Sequence, residues 1–200
     1  VKRPLQIGIT GGIGSGKSII CRVFTCLGIS VYDADSRAKA VMTTDGILIS
    51  QIKKEFGGLS YDEQGGLNRQ YLAQTVFHDP DKVRILNQLV HPRVKEDYVR
   101  WLEDHKQEPY VLKEAALLYE AESDQSLDKI IVVYAPVHVR LKRVLQRDAH
   151  RNEEQVKAIM GQQMSDEEKV KRADFIILND DSKLVLPQVL ELHRRFLAGN

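Results

Sequence analysis

Hydrophobic residues along this 200-residue chain fall into two patterns. The first is the short continuous run. Leu5–Thr10, Ile29–Tyr32, the run from Tyr110, Lys129–Tyr134 and Phe175–Leu178 predict strands. Lys129–Tyr134 is apolar or β-branched almost throughout, which predicts burial on both faces, as in a parallel sheet. The second pattern is apolar spacing of three and four. Ile19, Ile20, Val23, Phe24 and Leu27 predict a helix over Ser18–Leu27, ended by Gly28. Strand, glycine-rich turn, helix and strand follow one another over ~30 residues, the length of a βαβ unit.

From Ser36 to about Lys106 the helical pattern takes over. Leu48, Ile49, Ile52 and Phe56 form one stripe; Tyr71, Leu72, Val76 and Phe77 form another. Asp45 and Asn68 stand where N-caps belong. Gly57-Gly58 to Gly65-Gly66 is a turn-rich interval between the stripes. The pattern through Val83, Leu86 and Leu89-Val90 stops at His91-Pro92, and Val94, Tyr98 and Trp101-Leu102 predict a separate helix beyond it. This block reads as an insertion or small subdomain beside the sheet. After Tyr134, Pro136 opens a helix through Val144, and the stretch from Arg147 to Arg172 is polar and dense in charge. Ser182 is the expected cap of a last helix carrying Val185, Val189, Leu190 and Phe196.

Composition narrows the class. Hydrophobic residues at 42% and charged residues at 28% describe a globular chain. No stretch approaches the ~18 apolar residues of a membrane helix. Lys plus Arg at 29 against Asp plus Glu at 28 leaves +1, too little for bulk attraction to nucleic acid. The expectation is therefore no nucleic-acid partner and no membrane. Cys21 and Cys26 point to different faces of one helix and make neither a disulfide framework nor a four-ligand zinc site. They fit a reducing cytoplasm. The apolar run Leu5–Thr10 is short and leads into glycines, so it reads as a strand rather than a signal peptide.

Gly11-Gly12-Ile13-Gly14-Ser15-Gly16-Lys17-Ser18 matches G-x-x-x-x-G-K-[ST], the phosphate-binding P-loop. Chance odds in a chain this long are roughly one in 150 at average composition, and the strand before it and helix after it are the required context. Glycines let the backbone turn several N–H groups toward one anion. The helix adds its positive end. Lys17 reaches the β- and γ-phosphates, and Ser18 offers its hydroxyl to Mg²⁺. A nucleoside triphosphate with magnesium is the ligand this predicts.

Around it stand further candidates. Asp33-Ala34-Asp35 ends the second strand, where open parallel sheets form their ligand crevice. Its carboxylates suit Mg²⁺ held through water, or proton acceptance from a hydroxyl; the plain alternative is that Asp35 caps the next helix. Glu114, ending the third strand, is where a magnesium-linked carboxylate belongs. Arg140, Arg143 and Arg147, spaced by three and four, share a helix face. They are either solvated or part of a lid that brings a guanidinium to the transferring phosphoryl group. Asp62-Glu63-Gln64-Gly65 fits the D-x-x-G text of GTPase switches, but it lies in the turn-rich interval without N-K-x-D, and reads as a turn.

Taken together, these motifs resemble those of dephospho-coenzyme A kinases. The resemblance rests on Ile9-Thr10-Gly11-Gly12-Ile13-Gly14-Ser15-Gly16-Lys17-Ser18, Asp33-Ala34-Asp35 with Ala38, His91-Pro92 and Leu117-Leu118-Tyr119-Glu120. It continues through Arg143, Arg147-Asp148, Gln163, Ala173-Asp174-Phe175 and Asn179, and so spans nearly the whole chain. It implies transfer of the γ-phosphoryl group of ATP to the ribose 3′-hydroxyl of dephospho-coenzyme A, with Mg²⁺. It implies an α/β fold, a P-loop NTPase-like parallel five-stranded sheet flanked by helices. The nucleotide-binding core would comprise residues 1–35, 107–139 and 172–200, the acceptor-binding helical domain 36–106, and the lid 140–171.

By position, Asp35 would be the base, Asp33 would position magnesium or the ribose, and Arg147, with Arg143, would neutralise the transferred group. The ATP site would run from Gly11 through Ile19. Ser18, Asp33 and Glu114 are the metal candidates. His91, Leu118 and Glu120 would border the acceptor pocket. There are departures: Ala116 replaces a common proline, Tyr119 an aromatic or aliphatic residue, and Ile19 a common threonine. A kinase of another small molecule and a regulatory nucleotide-binding protein are the rival readings. A monomer and a small homo-oligomer both stay open.

Overall fold

The computed structural model describes residues 3–76 and 79–199; Phe77 of the second stripe lies outside them. In chain order the elements are β1 (Leu5–Thr10), α1 (Lys17–Cys26), β2 (Val31–Asp33), α2 (Ala34–Thr44), α3 (Gly46–Phe56), α4 (Arg69–Val76), α5 (Pro80–Asp104) and β3 (Tyr110–Glu114). There follow β4 (Lys129–Tyr134), α6 (Val137–Arg147), α7 (Glu153–Gly161), α8 (Asp166–Arg172), β5 (Phe175–Leu178) and α9 (Val185–Leu197). The chain divides into two compact units, Val1–Asp33 with His105–Asn200, and Ala34–Asp104.

The first unit is built on one five-stranded sheet in the order β2-β3-β1-β4-β5, parallel at every pairing. The strands nearest the middle are the most apolar, because both of their faces are covered. Ile7 and Ile9 of β1, Tyr110 and Leu112 of β3, and Ile131 and Val133 of β4 form one face. They pack against Ile20 and Phe24 of α1 and Val189 and Phe196 of α9. The Tyr110 hydroxyl, in this core, shares a 2.6 Å hydrogen bond with His193 Nδ1. On the other face Gly8 leaves room for Leu118 and Leu127: a Cβ there would stand 2.9 and 2.7 Å from their methyl carbons.

Three boundaries differ from the sequence expectation. Ile29 does not open β2; its N–H donates to the Phe24 carbonyl (3.1 Å) and completes the turn that leaves α1 at Gly28. The strand begins at Val31. Helix α6 continues past Val144 to Arg147. Ser182 does not cap α9. Its hydroxyl and N–H both donate to Asp180 Oδ1 (2.6 and 3.1 Å), and the cap position falls to Leu184.

In the second unit Leu48, Ile52 and Phe56 of α3 meet Val41, Tyr61, Leu72 and Val90 in a core of their own. Asp45 caps α3, accepting from Leu48 N–H at 2.9 Å, and Asn68 accepts from Tyr71 N–H at 3.1 Å. Burial alone would raise the Asp45 carboxyl's pKa, but the Leu48 N–H and the Arg93 guanidinium outweigh it and hold it below its ordinary value. Arg93 donates to Asp45 Oδ2 from Nε and Nη2 (2.8 and 2.6 Å). His91-Pro92 does not separate two helices: α5 runs through Pro92. A proline inside a helix removes one backbone hydrogen bond, but Leu86, Leu89, Val90 and Val94 on both sides of it pack into the same core, so tertiary burial overrides the break. Asp62 to Gly65 is a local turn, with Asp62 Oδ1 accepting from the N–H groups of Gln64 and Gly66.

Candidate active site

The loop from Gly11 to Gly16 leaves the carboxyl end of β1 and enters α1. Gly16 occupies the cap position of α1 at φ 96°, in the left-handed region, which glycine enters without steric cost. It offers no side-chain oxygen, and the first turn carries no acidic residue. A helix start without its usual oxygen cap or carboxylate suits an external anion. Two hydroxyls here, Thr10 Oγ1 at the end of β1 and Ser15 Oγ in the loop, are buried without a hydrogen-bond partner. Buried polar atoms are rarely left so.

The reactive side chains sit on this frame. Lys17 Nζ donates to the Gly11 carbonyl at 2.8 Å, which holds the ammonium across the loop. Ser18 Oγ donates to Glu114 Oε1 at 2.8 Å. Glu114 is the last residue of β3, paired in register with Ile9 of β1 and Asp33 of β2. The sheet order thus brings the ends of three strands together and gathers Ser18, Glu114 and Asp33 there. Beside them Cys21 is buried, and its thiol pKa is pushed up by that burial first and by the Glu114 carboxylate second. It is a protonated neighbour of the acid, not a nucleophile.

Hydroxyl and carboxylate oxygens at this spot are hard ligands of the kind Mg²⁺ takes. Among the described residues no group of three or more His, Cys, Asp or Glu is placed to hold a metal. Mg²⁺ bound mainly through phosphate and water oxygens needs none, so the donor set of Ser18 and the strand-end acids fits.

The arginines of α6 take different places despite their shared spacing. Arg140 is buried, ion-paired with Asp166. Arg143 donates to the Asn179 carbonyl at 2.8 Å and to Asp181 at 3.1 Å. Arg147 is 65% exposed and forms a two-point pair with Asp148, at 2.8 and 3.0 Å. That pair holds the Asp148 carboxyl below its ordinary range.

Leu118 is fully buried in the core under Gly8. The Glu120 carboxylate accepts from Met164 N–H at 2.6 Å and lies 3.4 Å from the buried Lys169 ammonium. Asp35 lies in the first turn of α2, inside the helix rather than at its cap, and His91 is exposed on α5; both belong to the helical unit.

Some groups around the loop were not singled out by reading residues. Asn179 Nδ2 donates to the Ser15 carbonyl at 2.7 Å, and Gln163 Oε1 accepts from Ile13 N–H at 2.9 Å. Both stood in the sequence only as parts of a family pattern. Arg140 stood in the sequence as a solvated or lid arginine and is instead buried against Asp166, a partner that carried no signal beyond charge.

A family model described as Dephospho-CoA kinase matches residues 5–184. A Dephospho-CoA kinase of Bacteroides fragilis is 39% identical over 191 residues, covering 94% of this chain and 91% of that protein. A crystal structure from Thermus thermophilus superposes with a TM-score of 0.83 at 32% identity, over 99% of this chain and 98% of the other. The Dephospho-CoA kinase from Campylobacter jejuni gives 0.72 at 27% identity, over 98% of each chain. With its all-parallel P-loop kinase sheet and a match over most of its length, this chain belongs to the dephospho-CoA kinase family.

Proposed function

We propose that this chain transfers the γ-phosphoryl group of ATP to the ribose 3′-hydroxyl of dephospho-coenzyme A, releasing coenzyme A and ADP, the last step of coenzyme A formation. Family membership carries ATP-dependent phosphorylation of dephospho-CoA. The observation behind the residue-level reading is the gathering of Lys17 and Ser18, at the start of α1, with the Gly11 carbonyl and with Glu114 at a strand end.

In this reading the backbone of Gly11–Ile19 cradles the triphosphate. Lys17 exchanges its bond to the Gly11 carbonyl for phosphate oxygens. Ser18, with Asp33 or Glu114, holds Mg²⁺, which when bound offsets charge on the phosphates. Asp35 accepts the proton of the attacking hydroxyl, and Asp33 orients the ribose. Arg147, with Arg143, neutralises the transferred group after leaving its carboxylate partner. Phosphoryl transfer needs little covalent help, so positioning and charge supply most of the acceleration.

Residues 36–106 serve as the acceptor domain and 140–171 as the lid, which keeps water from acting as acceptor. His91 contributes on the acceptor side through its side chain. Leu118 and Glu120 act there by fixing the backbone around them. No helix among the described residues is long and apolar enough to cross a membrane, and the enzyme works in the cytoplasm as a monomer or small homo-oligomer.

The test is ADP release by the purified protein with MgATP and each of dephospho-CoA, AMP, CMP and gluconate, with the product weighed. Dephospho-CoA-dependent ADP, matched by a product heavier by one phosphate, is expected. ADP release indifferent to the acceptor, or faster with another acceptor, contradicts the proposal.

A further inference from the structure

The P-loop is gripped from outside by Arg140 and Gln163. Arg140 is 4% exposed, and all three of its guanidinium nitrogens are engaged. Nε donates to the Ala135 carbonyl at 3.1 Å, Nη1 to the Ile13 carbonyl at 3.3 Å, and Nη2 to Asp166. The N–H of the same Ile13 donates to Gln163 at 2.9 Å. Both polar backbone groups of one P-loop residue are therefore held by α6 and the α7–α8 connection.

Arg140 also lies against two of the motif's glycines. A Cβ on Gly12 would overlap the Arg140 guanidinium, and a Cβ on Gly14 would overlap its carbonyl. Asp166 neutralises Arg140 locally, so the loop gains rigidity without a buried net charge next to the phosphate cradle.

We propose that Arg140, with Asp166 and Gln163, is a P-loop clamp: a set of positioning residues that hold Gly12-Ile13 in the phosphate-binding shape and so set nucleotide affinity. The clamp rests on the nucleotide-binding role proposed above. It differs from the Arg143 and Arg147 roles, because Arg140 is buried and each of its guanidinium nitrogens bonds to a protein partner. Losing Arg140 also leaves the Asp166 carboxylate without its counter-charge beside an anion site, which adds to the penalty on nucleotide binding.

The experiment is calorimetric binding of MgADP to wild type, Arg140→Met, Arg140→Lys and Gln163→Leu, with KM for dephospho-CoA measured in parallel. For Arg140→Met, Kd for MgADP rises about tenfold, while KM for dephospho-CoA moves by less than about twofold. Arg140→Lys, which keeps the charge facing Asp166, recovers part of the loss. Gln163→Leu weakens MgADP by about threefold and decides the matter if Arg140→Met does not fold. Unchanged MgADP affinity in the variants, or equal weakening of both substrates, overturns the clamp alone. A wild type that binds no MgADP overturns the nucleotide reading and the clamp with it.

Discussion

In the sheet unit, central strands bury apolar side chains on both faces, and the candidate phosphate-handling groups Ser18, Glu114 and Asp33 collect at the strand ends. In the helical unit no such motif gathers its polar groups. Polar groups serve as braces between helices: Arg93 to Asp45 at the start of α3, and Arg37 of α2 to Asp97 of α5. The difference teaches where function can be read. An anion cradle needs particular atoms at particular backbone positions, and so leaves a motif. A surface that receives a nucleotide-like acceptor can be assembled from many residues, and leaves only packing.

The sharpest way to break this comparison is Lys17→Ala. It should lower kcat/KM by about 10³ or more while the helical unit stays folded, as steady-state kinetics and circular dichroism would report. Unchanged kinetics would remove the P-loop role. Next is Asp35→Asn, in which kcat should fall about 10²–10⁴-fold, with MgATP affinity within about twofold. A near-normal kcat would take the base role from Asp35.

On the structural side, Arg93→Met should destabilise the helical unit, seen as a lower urea midpoint, and leave MgADP binding as it was. The smallest effect is in pH. The Asp45 carboxyl is held below its ordinary value of 3.8, so its contribution is fully present above that value and is lost as pH falls through the depressed one. Wild-type thermal stability should therefore drop more steeply below about pH 4 than that of Asp45→Asn, which keeps the α3 cap but cannot titrate. Parallel curves for the two would show that the pair does not link stability to pH.

Much of the fold was legible because it is written locally. β1, β4 and β5 run over the residues that their apolar content predicts. The P-loop needed only its own eight residues and its neighbours. Asp45 and Asn68 cap the helices expected of them. What misled was a local rule overruled by a competing interaction. Pro92 sits within α5 because packing on both sides outweighs one lost hydrogen bond. Ser182 was claimed by Asp180 before it reached α9.

The arginines show the same limit within the site. Three of them at helical spacing are equivalent along the chain. Only partners far along it, Ile13 and Asp166 for Arg140, Asn179 and Asp181 for Arg143, set them apart. Leu118 and Glu120 had a place in the sequence pattern, but Gly8, Met164 and Lys169 determine what their atoms do.

The division of labour between the units is most directly tested by hydrogen exchange of the wild-type protein with MgADP alone and with dephospho-CoA alone. The account predicts that MgADP protects the amides of residues 11–19, and that dephospho-CoA protects amides within residues 34–104. Protection by dephospho-CoA confined to the sheet unit, with 34–104 exchanging as in the free protein, would contradict it.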